Sequence, residues 1–139
     1  MQRPYIWNFG FPFGVLAFPL ECPAMVLQEF GVESHAGMRP GHSILRLTGP
    51  LSLETVPEFL KAVRAETAPA VILDLSGVSF LDSAGVGALI QTYVALQHGR
   101  RKLALVGLGS QVLTVLEITR VHRLFTIFAT AAEAEERLA

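Results

Sequence analysis

At 139 residues and 15.1 kDa the chain holds one domain, since single cores occupy roughly 100 to 200 residues. Hydrophobic residues make up 51% and charged residues 17%, which supplies a core and excludes a disordered chain on composition. Eleven Lys and Arg against twelve Asp and Glu leave a formal net charge of -1, which excludes the broad cationic face that a nucleic-acid backbone requires. A single cysteine, Cys22, excludes an internal disulfide, a paired-thiol redox motif and a thiolate zinc site, and points to a reducing, cytoplasmic setting.

Residues 1–24 differ from the remainder. They hold Phe9, Phe11, Phe13 and Phe18, four prolines, Tyr5 and Trp7, with Arg3 and Glu21 as their charges. Arg3, the run Phe11–Leu20 and Ala24 imitate a secretion signal, but Pro12, Gly14 and Pro19 break the run, and a membrane-spanning helix needs about 20 uninterrupted apolar residues. The segment reads as a non-domain, aromatic and proline-rich tail, disordered or created by a start codon ahead of Met25. The domain is then 25–139.

Within that domain Val26–His35 and His42–Thr48 alternate as two strands around a turn, Gly37–Gly41. Thr55, Pro57 and Glu58 have the order of a helix start, with Thr55 as cap, Pro57 in the first turn and Glu58 reaching back. The steps of Val56, Phe59, Leu60 and Val63 lay one apolar stripe on a sheet, and Pro69 ends the helix. Val71–Leu75 is nearly all apolar, as a central strand covered on both faces requires. Ser76–Asp82 is predicted as a loop, and Ala84–Gln97 as a helix closed by Gly99. Arg100, Arg101 and Lys102 beyond it complement the helix end and stay solvated. Leu103–Val106 is a strand and Ser110–Thr119 a helix capped by Ser110, so that through Thr119 the order is β-β-α-β-α-β-α. Phe125–Phe128 adds a strand and Ala131–Leu138 a helix. Strands joined through helices lie parallel with right-handed crossovers. The fold class is α/β, a mostly parallel sheet packed by helices, with an N-terminal strand pair.

The chemistry concentrates in Ser79-Phe80-Leu81-Asp82-Ser83-Ala84-Gly85-Val86-Gly87, where a central strand hands over to a helix. Open α/β sheets place their sites at such strand ends. Asp82 is suited to cap the helix, leaving the Ser83 hydroxyl exposed in its first turn, with Gly85 and Gly87 offering little bulk to an approaching partner. A phosphoryl group on Ser83 would bring roughly -1.5 to -2 units of charge beside Asp82 and repel an acidic or apolar docking surface. On the residues alone, Asp82 and Ser83 either form such a switch or simply cap a helix. A hydrolase elbow requires glycine where Leu81 stands, and His35, His42, His98 and His122 offer no assignable base. Gly85-Val86-Gly87 is a fragment of a dinucleotide fingerprint, no phosphate-binding Gly-Lys-Ser/Thr occurs, and the histidines lack metal-ligand spacing. Asp74 in the apolar strand is suited to holding loop amides. No metal or cofactor is called for.

Val71-Ile72-Leu73-Asp74-Leu75-Ser76-Gly77-Val78, Leu81–Leu89, and Val115-Leu116-Glu117-Ile118-Thr119 with Leu124-Phe125 resemble the STAS domain of bacterial anti-sigma factor antagonists over about residues 26–138. The resemblance implies a STAS-type fold and a non-catalytic regulator of sigma-factor-dependent transcription. Ser83 matches the serine phosphorylated by the family's partner, an anti-sigma factor that is a serine kinase. The unphosphorylated protein binds that kinase and frees sigma, phosphorylation releases it, and a phosphatase resets the cycle. Contacts to the partner are expected from Asp82, Ala84 and Gly85 and from Gly49, Leu51 and Ser52. Two positions depart from the pattern: Ser52 stands where the family often has aspartate, and Arg120 where a glycine commonly ends the third helix. Two alternatives use the same segment differently. One is a STAS subunit of a permanent assembly, such as a stress-sensing complex or a lipid-transporting ABC system, and the other a small hydrolase using Ser83.

Overall fold

The structure of the protein is a computed structural model that describes residues 29–138. The aromatic tail, the proposed start at Met25, Cys22 and the beginning of the first expected strand lie outside the described residues. The elements are β1 (Gly31–Ala36), β2 (His42–Leu51), α1 (Val56–Ala65), β3 (Ala70–Leu81), α2 (Ser83–His98), β4 (Lys102–Val106), α3 (Ser110–Ile118), a 3-10 turn (Val121–Leu124), β5 (Thr126–Phe128) and α4 (Ala131–Leu138). The strands form one five-stranded sheet in the order β1-β2-β3-β4-β5. β1 runs antiparallel to β2, and β2 to β5 are mutually parallel.

Period-two alternation sorts the apolar side chains to two faces. Leu45, Leu47, Val71, Leu73, Leu75 and Leu105 join the main core, against Phe59 of α1, Leu89 and Leu96 of α2 and Leu116 of α3. Ile72, Ala104 and Val106 point to the other face, where Ala134 of α4 covers them. The central strand is therefore buried on both sides, as its composition predicts.

Several local expectations need correction. Ser76–Asp82 is not a loop, because β3 continues to Leu81; Thr48, Gly49 and Leu51 of β2 pair with Gly77, Val78 and Leu81, and β2 follows by two register shifts. Ser110 is the first residue of α3 and not its cap; Gly109 holds that place, without a side-chain bond. Thr55 stands at the cap position of α1 in a helical conformation, without a capping bond. Its hydroxyl is occupied by the preceding loop, donating to Pro50 O and accepting from Ser52 N–H, each at 2.9 Å. Pro57 does lie in the first turn.

The two helix ends that precede β4 and the 3-10 turn are closed by arginines in the left-handed region, Arg100 at φ 57° and Arg120 at φ 63°. Gly99 keeps φ -84°, so the glycine sits one place too early to take the left-handed turn. The bonds Arg101 N–H to Leu96 O and Arg100 N–H to Gln97 O, at 2.8 and 3.0 Å, form a Schellman closure around Arg100. Left-handed backbone costs a residue with a Cβ about 1–2 kcal/mol. Arg100→Gly and Arg120→Gly are each expected to raise stability by about 1 kcal/mol after the entropy that glycine gains on unfolding; urea midpoints of the two variants check this.

Arg101 is not solvated as the charge run suggests. Its Nε donates to Ala68 O and its Nη2 to Glu66 O, both at 2.9 Å, tying the start of β4 to the segment after α1. The Glu66 carboxylate accepts from Ser43 Oγ at 2.6 Å and from the Thr67 and Ala68 amides. Burial works to raise its carboxyl, but the Ser43 hydroxyl, those amides and Ser34 outweigh burial and hold it below the ordinary range.

Candidate functional site

The carboxyl ends of β2 and β3 and the start of α2 converge on Asp82. Its Oδ1 accepts from Gly85 N–H at 2.8 Å, the N-capping bond that its position predicts. Its Oδ2 accepts from Leu53 N–H at 3.2 Å, and its own amide donates to Leu51 O at 3.3 Å. One carboxylate thus clamps the β2–α1 loop to the start of α2. Ser83, the first residue of the helix, is exposed, and Ala84 is half-buried. Free amides and the helix dipole at this end favour a negative charge.

The remaining expected contacts divide differently from the sequence reading. Gly85 is buried, and a Cβ there would run into the Leu51 carbonyl oxygen and stand 2.7 Å from Leu81 Cδ1. Its small size serves the approach of α2 to the end of β2. Gly87 is the glycine open to solvent, with nothing near its Cβ direction. Leu51 is fully buried, Ser52 is 7% exposed, and Gly49 is a buried strand residue at φ 86°, tucked under the Glu29 carbonyl. Gly49, Leu51 and Ser52 therefore shape the loop from within and present no side-chain surface of their own. The Ser52 hydroxyl donates to Glu54 Oε1 at 3.0 Å, so a carboxylate stands next to the position where aspartate was missed.

The apolar part of the outer surface comes from two residues not among the expected contacts. Leu53, whose amide Asp82 holds, is 68% exposed, and Phe80 is 46% exposed. Phe80 lines a shallow groove with Ser110, Gln111, Thr114 and Val115 of α3, and Ile118 one turn further on is 77% exposed. Leu53 lies in a loop without periodicity, and Phe80 falls in Ser76–Asp82, where the pattern predicts a loop. As the end of β3, that stretch alternates, and with Leu81 inward Phe80 turns outward.

Asp74 plays the structural role its place suggests. Oδ1 accepts from the Ser76 amide and hydroxyl at 3.0 and 2.7 Å, and Oδ2 meets Arg46 Nε at 3.2 Å. Burial works to raise this carboxyl, but Ser76 and then Arg46 outweigh it and hold it low. Among the described residues no group of three or more His, Asp or Glu side chains could hold a metal ion, and no helix is long and apolar enough to cross a membrane.

The five-stranded α/β sheet with its long central strand coincides with a known family. Residues 35–134 match the STAS domain. The chain belongs to the STAS domain family. The chain is 28% identical over 86 residues to the anti-sigma-B factor antagonist of Staphylococcus aureus, spanning 60% of this chain and 80% of that protein. The fold is shared with an anti-sigma factor antagonist from Mycobacterium paratuberculosis, at a TM-score of 0.67 and 24% identity, covering 77% of this chain and 93% of the other. It is also shared with unphosphorylated SpoIIAA, at a TM-score of 0.61 and 22% identity, covering 79% and 96%. The sequence reading of this STAS domain as a mostly parallel sheet behind an N-terminal strand pair agrees with the structure.

Proposed function

We propose that this protein is a cytoplasmic anti-sigma factor antagonist, not an enzyme, and that it is switched by phosphorylation of Ser83 by its anti-sigma factor kinase and reset by a phosphatase. The observation that carries the reading is the exposure of Ser83 at the first position of α2. Two similarities support it: the related S. aureus protein is an anti-sigma-B factor antagonist, and the fold neighbour SpoIIAA has been solved in unphosphorylated and phosphorylated forms.

The physical logic rests on what surrounds the hydroxyl. Leu53 and Phe80 offer apolar contact next to the Asp82 clamp. With Ser83 neutral, a partner can dehydrate this surface and gain from burying both side chains. A phosphodianion placed there stays favoured by the helix dipole but resists dehydration, and it faces Asp82. Binding is lost while the fold survives. Asp82, Leu53 and Phe80 form the contact; Gly49, Leu51, Ser52 and Gly85 hold its shape.

The test is incubation with the cognate kinase and ATP. Modification of Ser83 with release from the kinase is expected; an unmodified Ser83 under conditions that phosphorylate another family member overturns the proposal. Ser83→Asp is expected to bind the kinase at least about tenfold more weakly than Ser83→Ala, equivalent to about 1.4 kcal/mol. Equal affinities in calorimetry would refute the charge switch. Stable copurification with transporter or stress-complex subunits, indifferent to both substitutions, would instead assign the chain to a permanent assembly.

A further inference from the structure

The opposite end of the sheet carries a second concave feature. A cleft of about 560 Å³ lies between the last turn of α2, the start of β4, the 3-10 turn, β5 and α4, within the size range of small-ligand sites. Its walls are Tyr93, Leu96, Leu103, Leu124 and Phe128. Its rim holds Arg101, Lys102 and Arg137, and the lining contains no Asp or Glu.

These three cations are not neutralised within the described residues, whose ion pairs are His35–Glu33, His42–Glu135 and Arg46–Asp74. Arg101 and Lys102 are instead held by uncharged oxygens. Arg101 donates to the Glu66 and Ala68 carbonyls, and Lys102 Nζ donates to Leu138 O at 3.0 Å. Those bonds fix the side chains without cancelling their charge, and a guanidinium with five donors and an ammonium with three retain donors for a ligand. The walls are mainly aliphatic. Tyr93 packs against Phe125 of the core in a T-shaped pair, with ring centroids 5.8 Å apart and planes at 79°.

We propose that this cleft binds a single-chain amphiphile with a carboxylate head, its alkyl chain against Leu103, Leu124 and Phe128 and its head at Arg101, Lys102 and Arg137. The apolar wall supplies affinity in proportion to the area it covers, and three cations with no ion-pair partner among the described residues select the sign of the head group. The site is independent of the Ser83 proposal, since Tyr93, Leu96 and Gln97 of its lining lie roughly 15 to 21 Å along α2 from Ser83.

The experiment titrates the full chain with laurate, below its micelle concentration, by calorimetry and by NMR of the leucine methyls. Expected are saturable one-to-one binding, shifts at Leu103 and Leu124, and affinity at least about tenfold weaker both in the pair Lys102→Ala/Arg137→Ala and in Leu124→Asp. All three residues are exposed, which favours retention of the fold, and circular dichroism of each variant verifies it. Dodecyltrimethylammonium should not bind, and inorganic phosphate should not displace laurate. Absence of saturable binding, equal binding of the cationic amphiphile, displacement by phosphate, shifts confined to other methyls, or unchanged affinity in the folded variants overturns the proposal.

Discussion

Gly85→Ala is expected to destabilise the domain by about 3 kcal/mol and to lower its melting midpoint by roughly 10 °C. The added methyl meets the Leu51 carbonyl oxygen and lies 2.7 Å from Leu81 Cδ1. Leu81 can turn aside, but the carbonyl belongs to the end of β2 and accepts the Asp82 amide. The start of α2 must therefore lift off the sheet, which strains the Asp82 bond to Leu53 as well. Gly87→Ala is the control. It places a methyl on the same helix in open space and should stabilise by up to about 1 kcal/mol through helix propensity. Equal melting midpoints for the two variants would show that the tight approach does not govern this junction.

Glu135→Ala is expected to cost about 2 kcal/mol, through loss of a buried acceptor and the donors it leaves unpaired. The Glu135 side chain is 6% exposed and accepts from Arg39 N–H at 2.9 Å. His42 Nδ1 is buried at 3.3 Å from the same oxygen, without an aligned hydrogen bond. Burial works to raise the Glu135 carboxyl, but the Met38 and Arg39 amides and then His42 outweigh it and hold it below the ordinary range. A carboxyl held low in the folded state contributes stability that is complete above its unfolded value and is lost as pH falls through its folded value. Stability should therefore decline below about pH 4, with Glu66 and Asp74, also held low, adding to the slope. Glu135→Gln should flatten that slope in part while retaining an acceptor for the amides. Urea midpoints from pH 3 to 7, in roughly half-unit steps, measure both effects; identical slopes for wild type and Glu135→Gln would remove Glu135 from the acid response.

The order of elements was legible in the sequence because each carries its own period. Phe59 and Val63 at helical spacing, and Val71, Leu73 and Leu75 against Ile72 at strand spacing, declare their faces without help from distant residues. The Asp82 cap and the exposed Ser83 were legible for the same reason, since a helix start is a local event. What escaped depends on chain segments far apart. The continuation of β3 to Leu81 is supported by pairing with Thr48, Gly49 and Leu51 of β2, and no window around Ser76 contains that information. Gly85 looked like an opening because glycine is small, yet the space it spares is filled by Leu51, 34 positions earlier in the chain. Glu135 gave no hint of burial, since its partners lie in the β1–β2 turn, 96 positions away at Arg39.

The antiparallel placement of β1 has a practical corollary. Glu29 sits above Gly49, whose partner in β3 is Val78, so the first described residue lies at the rim that carries Ser83. Leu138 lies by Lys102 at the other rim. An affinity label or fluorophore appended after the last helix will lie away from the end of the sheet that carries Ser83, whereas a bulky fusion joined directly ahead of Glu29 will crowd that end. Immobilisation chemistry for any capture assay should follow that polarity.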